Sequence, residues 1–315
     1  IPRGHGMYSG DYDAARDGSE DGEIVLLSGT YDLSFLEGPT LPVSVVVPIT
    51  DSAGQSKRLA DLLLLLMPHL NFPNMDLLLV IGGNKRFDLS EIWAQIASHL
   101  RDEPCSISSE EAGKLFESKV KVVRPREDLG IAGLINFGVR SSGADFACLL
   151  DDSTSEIKHR VYGREGNWLG QMVSYAAHKE IGAVGGLTVD REEPVVISSG
   201  RAFGGDGTVA DLHWGESTES AGYFARLLGS SNCTALRLGC LVTERAVFDE
   251  IGGLDEEIPD DLVDLDYGLR LRAKGCRSVV LSQYHFFQRD PFFAENTYSV
   301  EGRSSDLARQ RFFQK

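Results

Sequence analysis

Cysteine is scarce in this chain, and its placement excludes more than its number does. Cys105, Cys148, Cys233, Cys240 and Cys276 are odd in number, far apart and never spaced as CxxC. Neither a disulfide framework nor a structural zinc site is expected, and a reducing cytoplasmic setting fits. Basic residues are also short: 31 Lys and Arg face 47 Asp and Glu, leaving a net charge of −16. That balance argues against wrapping nucleic acid or lying on an anionic membrane. The longest purely apolar run, Leu62 to Pro68, is far too short to span a bilayer, so no transmembrane segment is expected, and no signal-peptide pattern opens the sequence. Three common nucleotide or hydrolase signatures are missing as well. No GxGxxG follows the first strand, no P-loop lysine occurs, and there is no GxSxG elbow.

What is present is an ordinary globular composition, 42% hydrophobic and 25% charged, over 315 residues. This is enough chain to bury a large core. Residues 1–40 read as an N-terminal extension, whose first stretch, to about residue 23, is Gly-, Asp- and Ser-rich without apolar period. Val43 to Val47 is a β-branched run closed by Pro48 and reads as a buried strand. A leucine-rich helix from Lys57 to Leu66 follows, then a strand from Asp76 to Ile81 closed by Gly82-Gly83-Asn84. Asp88 can cap a helix whose apolar positions Leu89, Ile92, Trp93, Ile96 and Leu100 recur at helical spacing. Residues 101–118 read as an insertion with one short helix, 119–124 as a strand, 131–141 as a helix, and 146–150 as a strand running into Asp151-Asp152. The order β-α-β-α-β-α-β predicts an α/β fold with a mostly parallel twisted sheet and helices on both faces.

The second half is less regular. Ile181 to Val189 and Cys233 to Val242 read as strands, and 199–220 as a long loop carrying His213 and Trp214. Thr243 is expected to cap a short helix ending at Gly252-Gly253. Asp260 and Asp261 are expected to open a helix through Lys274, with Gly275 as its stop, and Val279 to Leu281 is a strand leading to His285. The chain after the extension divides into two halves, 41–155 and 156–315.

In parallel sheets ligands sit beyond the carboxyl ends of the strands. Those ends carry acid: Asp51, Asp151 and Asp152, with Asp264 at a helix start. Carboxylates gathered where an anionic nucleotide binds call for a divalent cation between them. The bland readings stand beside this one. Asp260, Asp261 and Asp264 suit a helix first turn, Asp266 and Arg270 suit an i, i+4 ion pair, and Trp214 suits either a sugar face or the core.

Several segments together resemble family 2 glycosyltransferases with the GT-A fold, from about Leu41 to Pro291. They are the opening strand 43–48, Asp128-Leu129-Gly130-Ile131-Ala132-Gly133-Leu134-Ile135-Asn136-Phe137-Gly138, Leu149 to Thr154 at the metal-binding DxD, the Gly-rich segment 239–256, and Val263 to Arg272 at the ED-x-D-x-x-x-R helix. Within that family the chain is similar to rhamnosyl- and galactofuranosyl-type transferases. The resemblance implies that 41–155 is a Rossmann-like nucleotide-sugar-binding half and 156–315 an acceptor-binding and catalytic half with a C-terminal tail, and that the nucleotide-sugar donor, UDP by family frequency, is held by Pro48, Ile49, Thr50, Asp51, Gly83, Asn84, Asp128, Gly130 and Asp151. It implies Mg²⁺ or Mn²⁺ on Asp151, Asp152 and His285. It further implies Asp264 as general base, inversion at the transferred carbon, and a glycan or glycolipid acceptor from polysaccharide biosynthesis at Trp214, Gly239 and Cys240. Three positions depart from the pattern: Ser153 for the last Asp of DxD, Val263 for the Glu of ED, and Gly82-Gly83-Asn84 where an Asp is usual. These departures motivate the other reading, a non-catalytic nucleotide- or glycan-binding module on the same fold.

Overall fold

The runs of β-branched and leucine residues in the first half have no polar face to offer solvent, so they can only be stable between two layers. The computed structural model shows that arrangement. It describes residues 41–49, 55–70, 74–82, 88–102, 108–160, 167–203 and 209–288. β1 (Val43–Ile49) lies between β2 (Met75–Ile81) and β4 (Phe146–Leu150), parallel to both, and β3 (Val120–Val123) extends the sheet beyond β2. The helices of this half are α1 (Gln55–Leu70), α2 (Leu89–Asp102), α3 (Ser109–Lys119) and α4 (Ile131–Ser141).

The two faces of the sheet have separate cores. Leu59, Leu62, Leu63, Leu66 and Met67 of α1 pack with Val45, Val47 and Leu79 on one face. Ile131, Leu134, Ile135 and Val139 of α4 pack with Val46, Leu78 and Val80 on the other. Each such buried side chain contributes on the order of 1.5–3 kcal/mol. Helix α4 approaches the sheet closely because Gly138 has no side chain. A Cβ there would lie 2.5 Å from Val46 Cγ1 and 2.6 Å from Val80 Cγ2. The helix in the 101–118 insertion is α3, fixed by a reciprocal capping box between Ser108 and Glu111.

The same sheet continues through the second half. Its order is β10-β12-β6-β11-β4-β1-β2-β3, with β5 on β12 and β7 on β6. Here β5 is Thr154–His159, β6 Ile181–Asp190, β7 Val196–Ser198, β10 Ser230–Cys233, β11 Cys240–Glu244 and β12 Arg277–Gln288. Strand β11 runs antiparallel between β4 and β6, while β6 and β12 are parallel, so the sheet is mixed at this end. A separate two-stranded ribbon pairs β8 (Arg201–Phe203) with β9 (Val209–Asp211). Helices α5 (Trp168–Ala176), α6 (Arg245–Glu250) and α7 (Val263–Ala273) follow, with a 3₁₀ turn at Tyr223–Ala225.

Several sequence expectations are corrected here. The strand expected over 233–242 is two strands, because Arg201 and Ala235 pair across the gap by an isolated bridge. Thr243 does not cap α6. It sits in β11, where its hydroxyl bonds Gly182 O at 2.8 Å and meets Tyr267 Oη at 2.9 Å, and Glu244 holds the cap position. Helix α7 opens after Leu262, not at Asp260 and Asp261. The loop expected over 199–220 contains the β8–β9 ribbon, and β12 extends well beyond Leu281. Strand β5 and helix α5 were not anticipated. Among the described residues no helix is long and apolar enough to cross a membrane, and Cys148, Cys233, Cys240 and Cys276 carry free thiols.

Candidate active site

Strand β4 is wholly buried, and its ladder carries the chain directly into Asp151. Asp151 N donates to Gly239 O at 3.1 Å, its Oδ1 accepts from Ser153 N at 2.7 Å, and Thr154 N returns to Asp151 O at 3.1 Å. This Asx-type turn folds the carboxylate back over its own backbone and starts β5. Asp151, Asp152 and Ser153 are 5%, 9% and 3% exposed. Two adjacent carboxylates at such burial are costly without compensating charge. One source is Arg58 of α1, whose Nη2 is 3.9 Å from Asp152 Oδ2. Ser153 Oγ and Thr154 Oγ1 are buried with no hydrogen-bond partner among the described residues. Hard oxygen donors of this kind fit Mg²⁺ or Mn²⁺, which characteristically takes one or two carboxylates and completes its shell with substrate phosphates and water.

Extending the β1–β4 register by two residues sets Pro48 level with Asp151. Pro48 is half-buried and Ile49 buried. Thr50, Asp51, Gly83 and Asn84 lie outside the described residues. Asp128 is exposed, and Gly130 is the cap residue of α4, with nothing within 4 Å of where its Cβ would stand. The neighbouring Asn136 is a clasp rather than a ligand: its amide bonds Leu254 O and Glu256 Oε1, and its oxygen accepts from Leu254 N.

His285 is not gathered with the two aspartates. Among the described residues no three His, Cys, Asp or Glu side chains converge as a cation site. His285 instead lies on β12 opposite Lys158 and Leu187, edge-on to Phe287, buried at 6%. Burial, aided by the Arg160 cation, pushes its imidazole down to about 4.

Asp264 lies in the first turn of α7 and is 2% exposed. Arg201 of β8 reaches it with Nη1 at 2.5 Å and the same nitrogen bonds Asp261 O at 2.7 Å. Beside this pair, Arg237 grips Asp211 through Nε at 2.7 Å and Nη2 at 2.6 Å. Burial pushes the Asp264 carboxyl above the ordinary carboxylate range, while Arg201 and Arg237 pull it part of the way back. For Arg201, burial opposes the charge, but Asp264 and Asp211 more than offset it and raise the guanidinium further. The outcome is a buried quartet of two cations and two anions around the candidate base. Arg201, Asp211 and Arg237 had no signal in the sequence, since they come from β8, β9 and the stretch before β11, with no motif spacing to link them. Asp266 and Arg270 form the i, i+4 pair at 2.7 Å, and Arg270 also closes the end of α6 through Ile251 O and Gly253 O.

The three expected acceptor residues separate. Trp214 is exposed at 55%. Gly239 lies against the site, its carbonyl receiving Asp151 N and a Cβ there standing 2.5 Å from Gln288 Nε2. Cys240 faces the core: it is 4% exposed, with its sulfur 4.0 Å from Met172 Sδ, so its thiol is not presented to an acceptor.

No family model matches the chain. It is 27% identical over 245 residues to the uncharacterized protein y4gI of Sinorhizobium fredii (strain NBRC 101917 / NGR234), covering 78% of this chain and 24% of that protein. It is 24% identical over 251 residues to the O-antigen biosynthesis protein RfbC of Myxococcus xanthus, covering 78% of this chain and 17% of that protein. The chain thus spans a quarter or less of the length of either relative. Among solved structures, the crystal structure of GalNAc-T7 with UDP, GalNAc and Mn2+ matches with a TM-score of 0.53 at 13% identity, over 79% of this chain and 44% of that one. The mixed sheet with helices on both faces and this structural likeness together make the chain's fold the GT-A fold.

Proposed function

We propose that the chain is a glycosyltransferase that moves a sugar from a nucleoside diphosphate-sugar, with UDP the first donor to test, onto a glycan or glycolipid acceptor. The observation that carries this is the buried Asp151-Asp152 turn at the end of the central strand β4, with the Ser153 hydroxyl beside it. Asp151 and Asp152 would hold a divalent cation there. Such a cation, when bound, neutralises charge that develops on the departing diphosphate. Arg58 supports the same charge from the α1 side.

Asp264 is the proposed general base. The acceptor hydroxyl oxygen bonds to the anomeric carbon, the bond from that carbon to the diphosphate oxygen breaks, and the hydroxyl proton passes to the Asp264 carboxylate. Attack opposite the leaving group inverts the carbon. A pKa above the ordinary range makes the ionised Asp264 a stronger proton acceptor, and Arg201 fixes its orientation. The likeness of segment 128–138 to rhamnosyl- and galactofuranosyl-type transferases nominates those sugars, and the RfbC relative nominates a polysaccharide acceptor.

A second reading has its own observation: Asp264 is buried and already ion-paired with Arg201, as in a structural salt bridge. On that reading the chain binds nucleotide or glycan without turnover. Slow hydrolysis of UDP-sugars by the full chain with Mn²⁺ separates the two. The transferase reading expects release of UDP that requires the metal. Metal-dependent UDP binding with no release from UDP-, dTDP- or GDP-sugars would favour the binding module.

A further inference from the structure

Most of the exposed large apolar side chains among the described residues lie on one stretch of chain, 213–228. Trp214, Tyr223, Phe224 and Leu228 are 55%, 70%, 83% and 41% exposed, and only Leu41 and Val122 join them among the described residues, each at 36%. Tyr223 and Phe224 meet edge to face with centroids 4.5 Å apart. Their backbone is strained: Phe224 and Ala225 have φ of 51° and 57°, and His213 has 59°. A bulky residue in the left-handed region is an outlier that persists only where the surroundings enforce it.

Those surroundings are well built. Tyr223 N donates to His213 Nε2 at 3.2 Å, so the other ring nitrogen carries the proton and donates to Ser199 Oγ at 2.7 Å. Arg160 reaches up from the end of β5 to three carbonyls of the loop, those of Glu219, Ser220 and Leu227. Leu227 is fully buried beneath the tip. The aromatic pair is therefore held out on a rigid base. Ser199 lies two residues before Arg201, the partner of Asp264, so the same short segment anchors both the tip and the candidate base.

We propose that Tyr223 and Phe224 form a carbohydrate-stacking platform for a neutral glycan acceptor, an inference that rests on the transferase reading above. Aromatic faces stack on the apolar C–H face of a sugar ring, and the Tyr223 hydroxyl adds a polar handle. Charge favours a neutral partner: the stretch 213–228 carries Glu216 and Glu219 against one cation, Arg226, on a chain of net charge −16. Four side chains are also too few for a stable protein interface, which needs roughly 1,000 Å² or more.

The test is an immobilised panel of neutral oligosaccharides two to six sugars long, probed with the full chain and with Tyr223→Ala/Phe224→Ala. No donor is present, so the platform is read whether or not the carboxylate site holds a nucleotide. Binding of the wild type to at least one glycan, with a loss of tenfold or more in the double variant, supports the platform. Phe224→Gly is the second variant: it relieves the left-handed strain, so melting is unchanged or higher while glycan binding still falls. Equal binding by wild type and variants overturns the proposal. So does a wild type that binds no glycan on the panel, or one that instead binds vesicles containing phosphatidylglycerol or self-associates through these residues.

Discussion

Asp264 and Arg201 set opposite charges side by side with little solvent exposure, and substitutions at the two positions separate chemistry from stability. Asp264→Asn keeps the volume and removes the proton acceptor. Turnover should fall by about 10²–10⁴-fold while UDP affinity is retained; near-normal turnover would mean that another group takes the proton. Arg201→Met leaves the buried carboxylate uncompensated and should cost about 3–5 kcal/mol by urea denaturation. The acidic limb of kcat/KM is expected above the ordinary carboxylate range, because burial raises the Asp264 pKa and activity is lost as pH falls through it. At this scale the sequence was half legible. Asp264 and the Asp151-Asp152 turn stood at readable positions, at a helix start and a strand end. Arg201, Asp211 and Arg237 did not, because the charges that matter are brought together by the β8–β9 ribbon and not by any spacing along the chain.

Among the elements, helix α4 distinguishes two uses of glycine. Gly138→Ala forces a methyl into Val46 and Val80 and should cost about 1–3 kcal/mol with no specific effect on donor binding. Gly130→Ala meets nothing and has an ordinary φ of −65°, so stability should change by less than about 0.5 kcal/mol. The family resemblance sets Gly130 at the donor, so Gly130→Ala is expected to weaken UDP affinity without moving the urea midpoint, and unchanged affinity removes Gly130 from the donor site. The elements of the first half were legible because buried parallel strands are written as unbroken apolar runs. Strand β12 was read too short because Ser282, Gln283 and His285 interrupt that run. The strand tolerates them partly because Ser282 Oγ finds Arg226 O at 3.0 Å. Thr243 was misread for a related reason: a hydroxyl that suits a helix cap serves equally well to join β11 to Gly182 and Tyr267.

At the level of the whole molecule, one sheet joins the two halves expected from sequence, with β11 closing directly onto β4. The Asp151-Asp152 turn and the second-half strands therefore belong to one continuous sheet. Acid should loosen it. Burial holds His159 and His285 below the usual 6.5, His285 at about 4, so the unfolded chain takes up protons at a pH where the folded chain does not. Their contribution is intact above about pH 6.5 and is lost as pH falls toward about 4, on the order of 3 kcal/mol for His285. Urea midpoints measured from pH 7 to 4 should fall, and His285→Gln should flatten that slope; an unchanged slope would show that another group carries it. The overall α/β order was legible because it is a matter of period. The antiparallel insertion of β11 was not, because strand direction leaves no mark in a five-residue strand such as Cys240–Glu244.

The proposed function stands on the Asp151-Asp152 turn holding a cation against a nucleoside diphosphate. Isothermal calorimetry with UDP, with and without Mn²⁺, on the wild type and Asp151→Asn tests it most directly. The account predicts binding of UDP or another nucleoside diphosphate that needs Mn²⁺ in the wild type and is weakened at least tenfold by Asp151→Asn. Metal-independent binding that survives the substitution, or no binding of UDP, dTDP or GDP at all, would contradict it.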